Sequence, residues 1–186
     1  MNLEEKMNSG SMICVIMRGF PGSGKSYTAK QICSEGTIIS TDNYWIPESI
    51  KKRASGKTVD AKEELNEYRK NWNPKELGKA HGTTFKLFED MLNKGVNPII
   101  VDNTNVQLWN MENYIKSAKS RGYEVFIMEP TSPWWLEYSP YLGTQDKKLD
   151  EFADILYKKN SHGVPKETIR KMIDKWDHLD EKKVCS

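Results

Sequence analysis

Long apolar runs are missing from this 186-residue chain. No stretch approaches the roughly 18 consecutive apolar residues that a membrane span needs, and with 29% charged residues, 37% hydrophobic residues and a mean hydropathy of −0.72 nothing points to a membrane protein. Cysteine is scarce too. Cys14, Cys33 and Cys185 are an odd set without metal-ligand spacing, which argues against a disulfide scaffold and suits a reducing cytosol or nucleus. Strong charge of one sign is also absent: a net charge of +2 is too mild to announce nucleic-acid binding by itself. The local basic cluster "KKRASGK" (51–57) reads most simply as a solvated loop. There is no repeat and no low-complexity tract. The opening "MNLEEKMNSGS" is too acidic and polar for a secretion signal. It reads as a disordered tail over 1–11, with a second polar tail over 178–186 and one domain of 12–177 between them.

What the chain does have begins at residue 19. "GFPGSGKS" (19–26) fits G-x-x-x-x-G-K-[ST], a loop whose backbone N–H groups, lysine and hydroxyl contact phosphates and Mg²⁺. The context suits it. Met12 to Met17 is an uninterrupted apolar run, as in a parallel strand buried on both faces, and "SYTAKQIC" can continue as a helix aiming its N-terminal dipole at anionic phosphate. Gly19, Pro21, Gly22, Ser23, Gly24, Lys25, Ser26 and Tyr27 are therefore the expected nucleotide contacts.

Further along, "TIIS" (37–40), "PIIVD" (98–102) and "EVFIM" (124–128) read as strands, alternating with helical patterns. Asn73 and Pro74 start a helix whose Leu77, Ala80, Thr84, Phe88 and Met91 share a face, closed by Gly95. Leu108, Met111, Ile115 and Ala118 form the next stripe, and helices follow from Leu149 to about Asn160 and from Pro165 to about Trp176. This β-α alternation predicts an α/β fold of the P-loop NTPase type: a central parallel sheet of about four strands flanked by helices. In such sheets ligands bind at the carboxyl ends of the strands. That edge gathers the phosphate loop, Asp42 in "STDNYW" and Asp102 in "VDNTN". Asp102 closes an apolar strand in the manner of a Walker B acid and could hold Mg²⁺ beside Ser26. Asp42, opposite the phosphate loop, could orient an acceptor hydroxyl and take its proton. The plain alternative for both is a turn or helix cap.

The motifs "RGFPGSGKS", "STDNYW", "LGKAH", "IIVDNTN", "EPTSPWW" and "KKNSHGVPKETIRKM", in this order, resemble P-loop polynucleotide kinase domains, most closely the Nedd-four-binding-protein-two-like group, over about residues 12–177. The resemblance implies a kinase-type core with a helical lid at about 149–163. It implies ATP (GTP being the alternative donor) with Mg²⁺, and transfer to the 5′-hydroxyl of a single-stranded RNA or DNA end. Lys25 and Ser26 match the phosphate and Mg²⁺ contacts and Asp42 the general base. Asn103, Thr104 and Asn105 match an acceptor-side element, His81 is matched as an acceptor-side contact, and Lys159 to Gly163 match the lid that closes over ATP.

The chain also departs from the pattern. Where the phage polynucleotide kinase has an arginine shortly after the base, this chain has Trp45, and in place of the lid arginines it offers Lys158, Lys159 and His162. Lysine is a point charge without the planar bidentate fork of arginine, so Arg53 or Arg69, in the long connection after the second strand, are the candidate substitutes. Tyr44 and Trp45, next to the expected base, could stack on an acceptor ring. Trp134 and Trp135 read as packing residues that hold the lid to the sheet. Because a fold alone does not name its acceptor, a small-molecule kinase and a catalytically weak ATP-binding module remain the alternatives.

Overall fold

The four apolar runs pair into one parallel sheet. In the computed structural model, which describes residues 3–32 and 37–179, the strands are β1 (Ile13–Met17), β2 (Thr37–Ile39), β3 (Ile99–Asp102) and β4 (Glu124–Met128). Their order is β2-β3-β1-β4. β1 lies at the centre, with Met17 opposite both Asp102 of β3 and Met128 of β4. All five of its residues are fully buried, as the continuous apolar run requires.

Helices cover both faces. The polar tail expected at the N-terminus is instead a helix, α1 (Leu3–Asn8), because Leu3 and Met7 find a place against the face formed by Ile13, Val15 and Met17, and Lys6 pairs with Glu124 at 2.8 Å. α2 (Lys25–Ile32) follows the phosphate loop and packs Ala29 on that same face. The connection after β2 holds two helices that the apolar pattern did not announce, α3 (Pro47–Ala54) and α4 (Ala61–Asn71). Both are polar, and α4 buries only Tyr68. The basic cluster lies on and just after α3: Lys51, Lys52 and Arg53 pair with Glu48, Glu63 and Glu64 respectively, so this surface is locally neutralised.

α5 (Leu77–Asn93), entered through a short 3-10 turn at Pro74–Glu76, and α6 (Trp109–Ser120) cover the opposite face. There Phe88, Leu92, Met111, Ile115 and Ala118 pack on Cys14, Ile16 and Ile39. Burial pushes the Cys14 thiol up to about 12. Cys33 and Cys185 lie outside the described residues, as does most of the expected C-terminal tail, although His178 at its start sits 2.9 Å from the Leu142 carbonyl.

The remaining helices, α7 (Pro133–Tyr138), α8 (Lys148–Lys159) and α9 (Lys166–Asp174), build a separate apolar cluster around Phe20. Phe20, Trp135, Phe152 and Trp176 interlock at centroid separations of 5.0 to 6.0 Å, and Tyr138 stacks on Phe152 at 5.3 Å. Trp135 is thus the packing residue its context predicted. Among the described residues no helix is long and apolar enough to cross a membrane.

Phe152 has no exposed surface and touches three aromatic rings of this cluster. Phe152→Ala should cost about 3–5 kcal/mol of stability, read from the urea midpoint. A loss below about 1 kcal/mol would mean that the α7–α9 cluster is not part of the cooperative core.

Candidate active site

The phosphate loop leaves the central strand where three other segments meet it. The Gly19 N–H donates to the Thr104 carbonyl at 2.8 Å, and the Asn105 amide donates to the Met17 carbonyl at 2.7 Å. From the other side the Ser132 hydroxyl donates to the Ser23 carbonyl at 2.8 Å and the Trp134 indole N–H to the Gly22 carbonyl at 3.0 Å. Beneath the loop, Arg18 is fully buried. Its guanidinium donates to the carbonyls of Asn105, Val106 and Asp177 and lies 3.8 Å above the Trp176 ring. Burial lowers its pKa, while Glu129 and Asp177 oppose that shift. These contacts fix the loop before any ligand arrives.

The loop opens on a cleft of about 650 Å³. Lys25, at the first position of α2, lines it half-buried with its ammonium 3.2 Å from the Phe20 carbonyl. Desolvation lowers its pKa, and the carboxylates of Asp102 and Asp42 pull it back up, so both acids act on this one cation. Ser26 and Tyr27 are exposed at the cleft wall.

Neither acid is a cap. The 3-10 turn Thr41–Trp45 after β2 is capped by Ser40, whose hydroxyl accepts from the Asp42 N–H at 3.3 Å. That leaves the Asp42 carboxylate free to face the cleft. The Tyr68 hydroxyl donates to its Oδ1 at 3.2 Å, and the His162 Nε2 lies 3.6 Å from Oδ2. The imidazole of His162 also packs on the Tyr68 ring at 4.5 Å. Burial, helped by the Asp42 charge, raises the Tyr68 pKa, so the phenol remains a donor. Asp102 is 8% exposed and its Oδ1 has no hydrogen-bond partner among the described residues. A buried carboxylate oxygen without a partner, next to a lysine and a helix-opening serine hydroxyl, fits a shared divalent cation. Among the described residues no group of three or more His, Cys, Asp or Glu side chains could hold a metal alone. Mg²⁺ here would therefore draw its remaining ligands from phosphate oxygens and water.

The structure sorts the other expected site residues. Lys159 lines the cleft, its ammonium 3.9 Å above the Trp134 ring, whereas Lys158 is exposed and does not line it. Asn103 lines the cleft while spending its Oδ1 on the Thr41 N–H at 2.9 Å, and Asn105, off the lining, is 4% exposed and bonded to β1, so both brace the strand ends. Thr104 does line the cleft. Trp45 is 2% exposed, buried against Ile46, Tyr68 and Ala80; it forms cleft wall and does not offer a free ring for stacking. Tyr44 is turned to Glu76, its hydroxyl donating at 3.1 Å, and lies away from the lining. Arg53 is paired with Glu64 on the surface. Arg69 is exposed beside the loop that follows α8, where its guanidinium stands 3.2 Å from the position a Cβ on Gly163 would take. His81 reaches the cleft with Nδ1 3.3 Å from the Thr41 hydroxyl; desolvation lowers its pKa against the pull of Asp42.

Several lining residues escaped the sequence reading, among them Tyr68, Trp72 and Leu77, with Thr41, Val164, Thr168 and Met172; Trp134, read as packing alone, lines the cleft as well. Tyr68 and Trp72 belong to the end of α4, a polar helix without an apolar stripe. Leu77 was assigned to the buried face of α5 and is instead 43% exposed at the cleft.

Comparison with known proteins follows the same lines. Residues 14–136 match the family model described as an AAA domain. Human NEDD4-binding protein 2 is 29% identical over 180 residues, covering 95% of this chain and 8% of that protein. Human YLP motif-containing protein 1 is 30% identical over 178 residues, covering 89% and 7%. The chain thus spans less than a tenth of the length of these curated relatives. Among solved structures, a gluconokinase from Sinorhizobium meliloti 1021 aligns with 89% of this chain and 75% of its own at 13% identity and a TM-score of 0.47.

The loop and α8 approach so closely at Gly22 that a Cβ there would overlap the Leu156 carbonyl and sit 2.9 Å from the Asn160 nitrogen. Gly122 has a similar φ of +80° with open space around it. Gly122→Ala should therefore cost only the left-handed strain, about 1–2 kcal/mol. Gly22→Ala should cost more and also weaken ATP binding by displacing the loop from α8. Equal melting shifts with equal ATP affinity, measured by calorimetry, would refute the close-packing account.

Proposed function

The chain belongs to the AAA domain family, and from that premise we propose that its cleft transfers the γ-phosphoryl group of ATP to the 5′-hydroxyl of a single-stranded polynucleotide. The observation that carries this reading is the placement of Asp42: an uncapped carboxylate across the cleft from the phosphate loop, close enough to influence the Lys25 ammonium and already held by Tyr68. A carboxylate opposite the phosphates can orient an attacking hydroxyl and take its proton, as transfer to an alcohol acceptor requires. The nucleic-acid acceptor is supported by the ordered motifs from "STDNYW" to "KKNSHG".

In this reading the loop N–H groups and Lys25 hold the β- and γ-phosphates, and Lys159 adds charge from the end of α8. Ser26 and Asp102 would hold Mg²⁺, which supplies neutralisation of phosphate charge when bound. Tyr68 occupies Oδ1 of Asp42 and fixes the carboxylate, leaving Oδ2 directed at the acceptor side, where His162 of the lid loop also reaches. The acceptor hydroxyl gives its proton to Asp42 as its oxygen bonds to the γ-phosphorus; the bond from that phosphorus to the bridging oxygen breaks and ADP leaves. Lys25 and Lys159 serve as charge in this step and take no part in the proton transfer.

The test separates binding from chemistry. Asp42→Asn keeps size and hydrogen bonding but removes the proton acceptor, so kcat on a 5′-hydroxyl oligonucleotide should fall about 100- to 10,000-fold while ATP affinity stays near that of the unmodified protein. Turnover within about threefold of the unmodified protein would show that Asp42 is not the base and would leave the reading without its central group.

A further inference from the structure

We propose that the C-terminal end of α4 is the platform for the acceptor strand, with Trp72 stacking on the first nucleobase of an unpaired 5′ end and Arg69 meeting the phosphodiester that follows it. This rests on the polynucleotide reading above and specifies how the acceptor is recognised.

Trp72 is 47% exposed, whereas Trp45 and Trp135 are 2% and 1% exposed, so its ring is not needed to fill a core. It caps α4, with its backbone N–H donating to the Tyr68 carbonyl at 2.9 Å. Positions 68 and 72 are one helical turn apart, on the same side of the helix. The tyrosine of that pair holds Asp42, and both rings line the cleft that holds the phosphate loop. The indole therefore stands about one turn from the group that takes the acceptor proton. Leu77, also exposed and lining the cleft, extends this apolar surface.

The charge pattern points to the same occupant. Arg53, Arg121 and Arg170 each pair with a carboxylate, and Arg18 is buried. Arg69 has no ion pair among the described residues. It lies three residues from Trp72 and against Gly163 of the lid loop, next to the point where His162 meets Asp42. An exposed indole, an unpaired guanidinium and a proton-accepting carboxylate along one short stretch match the parts of a 5′-terminal nucleotide: planar base, phosphodiester and hydroxyl. A free sugar or polyol has no planar base for the ring and no phosphate for the arginine.

The probe is a short single-stranded oligoadenylate with a 5′-hydroxyl end. Its binding is measured by fluorescence anisotropy with Mg²⁺ and ADP present, and its phosphorylation by steady-state kinetics with ATP. Trp72→Ala should raise both Kd and KM for the oligonucleotide about tenfold, equivalent to about 1.4 kcal/mol. The KM for ATP and kcat at saturating strand should be unchanged. Trp72→Phe, which keeps a stacking ring, should stay within about threefold, and an unchanged melting temperature for both variants confirms folding. Arg69→Gln should flatten the slope of log affinity against log salt by about 0.7, the loss of one phosphate contact on a single strand.

If the protein phosphorylates the strand and Trp72→Ala binds it as tightly as before, the platform is refuted and the kinase reading stands. If the strand binds in a Trp72-dependent way but receives no phosphate, the platform stands and the kinase reading falls. If the unmodified protein neither binds nor phosphorylates the strand, both fall.

Discussion

A phosphate loop can cradle a triphosphate only if its own carbonyls are turned away from the ligand and held there, and in this protein that constraint organises much of the chain. The loop carbonyls of Phe20, Gly22 and Ser23 are taken by Lys25, Trp134 and Ser132. Its start is pinned by the Thr104 carbonyl, and α8 presses against Gly22 from above. The segments that supply these contacts come from the ends of β3 and β4 and from the helices beyond, which is why the aromatic cluster around Phe20 matters to the site. It sets the position of α7 and α8, and these in turn set the loop. Arg18 belongs to the same arrangement. Its buried guanidinium ties the end of β1 to the main chain after β3 and after α9.

The acceptor side is built differently. It rests on short polar contacts among side chains of three separate segments: Asp42 after β2, Tyr68 on α4 and His162 after α8. Such contacts are individually modest, and Tyr68 belongs to, and Asp42 lies beside, only a small apolar cluster of Trp45, Ile46, Tyr68 and Ala80. The two sides of the cleft are therefore held differently, the phosphate loop by main-chain bonds and the aromatic cluster behind it, Asp42 by side-chain contacts.

Much of this was legible in the residues. The four strands followed from apolar runs, and the parallel sheet with its ligand edge followed from their alternation with helices. Lys25, Ser26, Asp42 and Asp102 were named from motif and strand-end position and Lys159 from the family resemblance, and all five line one cleft. What escaped has a common physical cause. α3 and α4 pack almost nothing into the core, so no apolar periodicity marks them, and Tyr68 and Trp72 on α4 went unread. α1 is short and polar, and only the sheet face beneath Leu3 and Met7 makes it a helix. Trp45 and Asn105 were expected at the substrate because they adjoin the motif acids. Their roles are to fill and brace the strand ends, which depends on contacts distant in sequence.

The central claim is that this cleft passes a phosphoryl group from ATP to a 5′-hydroxyl end. It is tested most directly with ATP labelled in the γ-phosphate, Mg²⁺, and two single-stranded oligonucleotides of the same sequence, one ending in a 5′-hydroxyl and the other already 5′-phosphorylated. The account predicts that label appears at the 5′ end of the first strand and not on the second. Label released only as inorganic phosphate, or transferred to a small alcohol while both strands stay unlabelled, would contradict it.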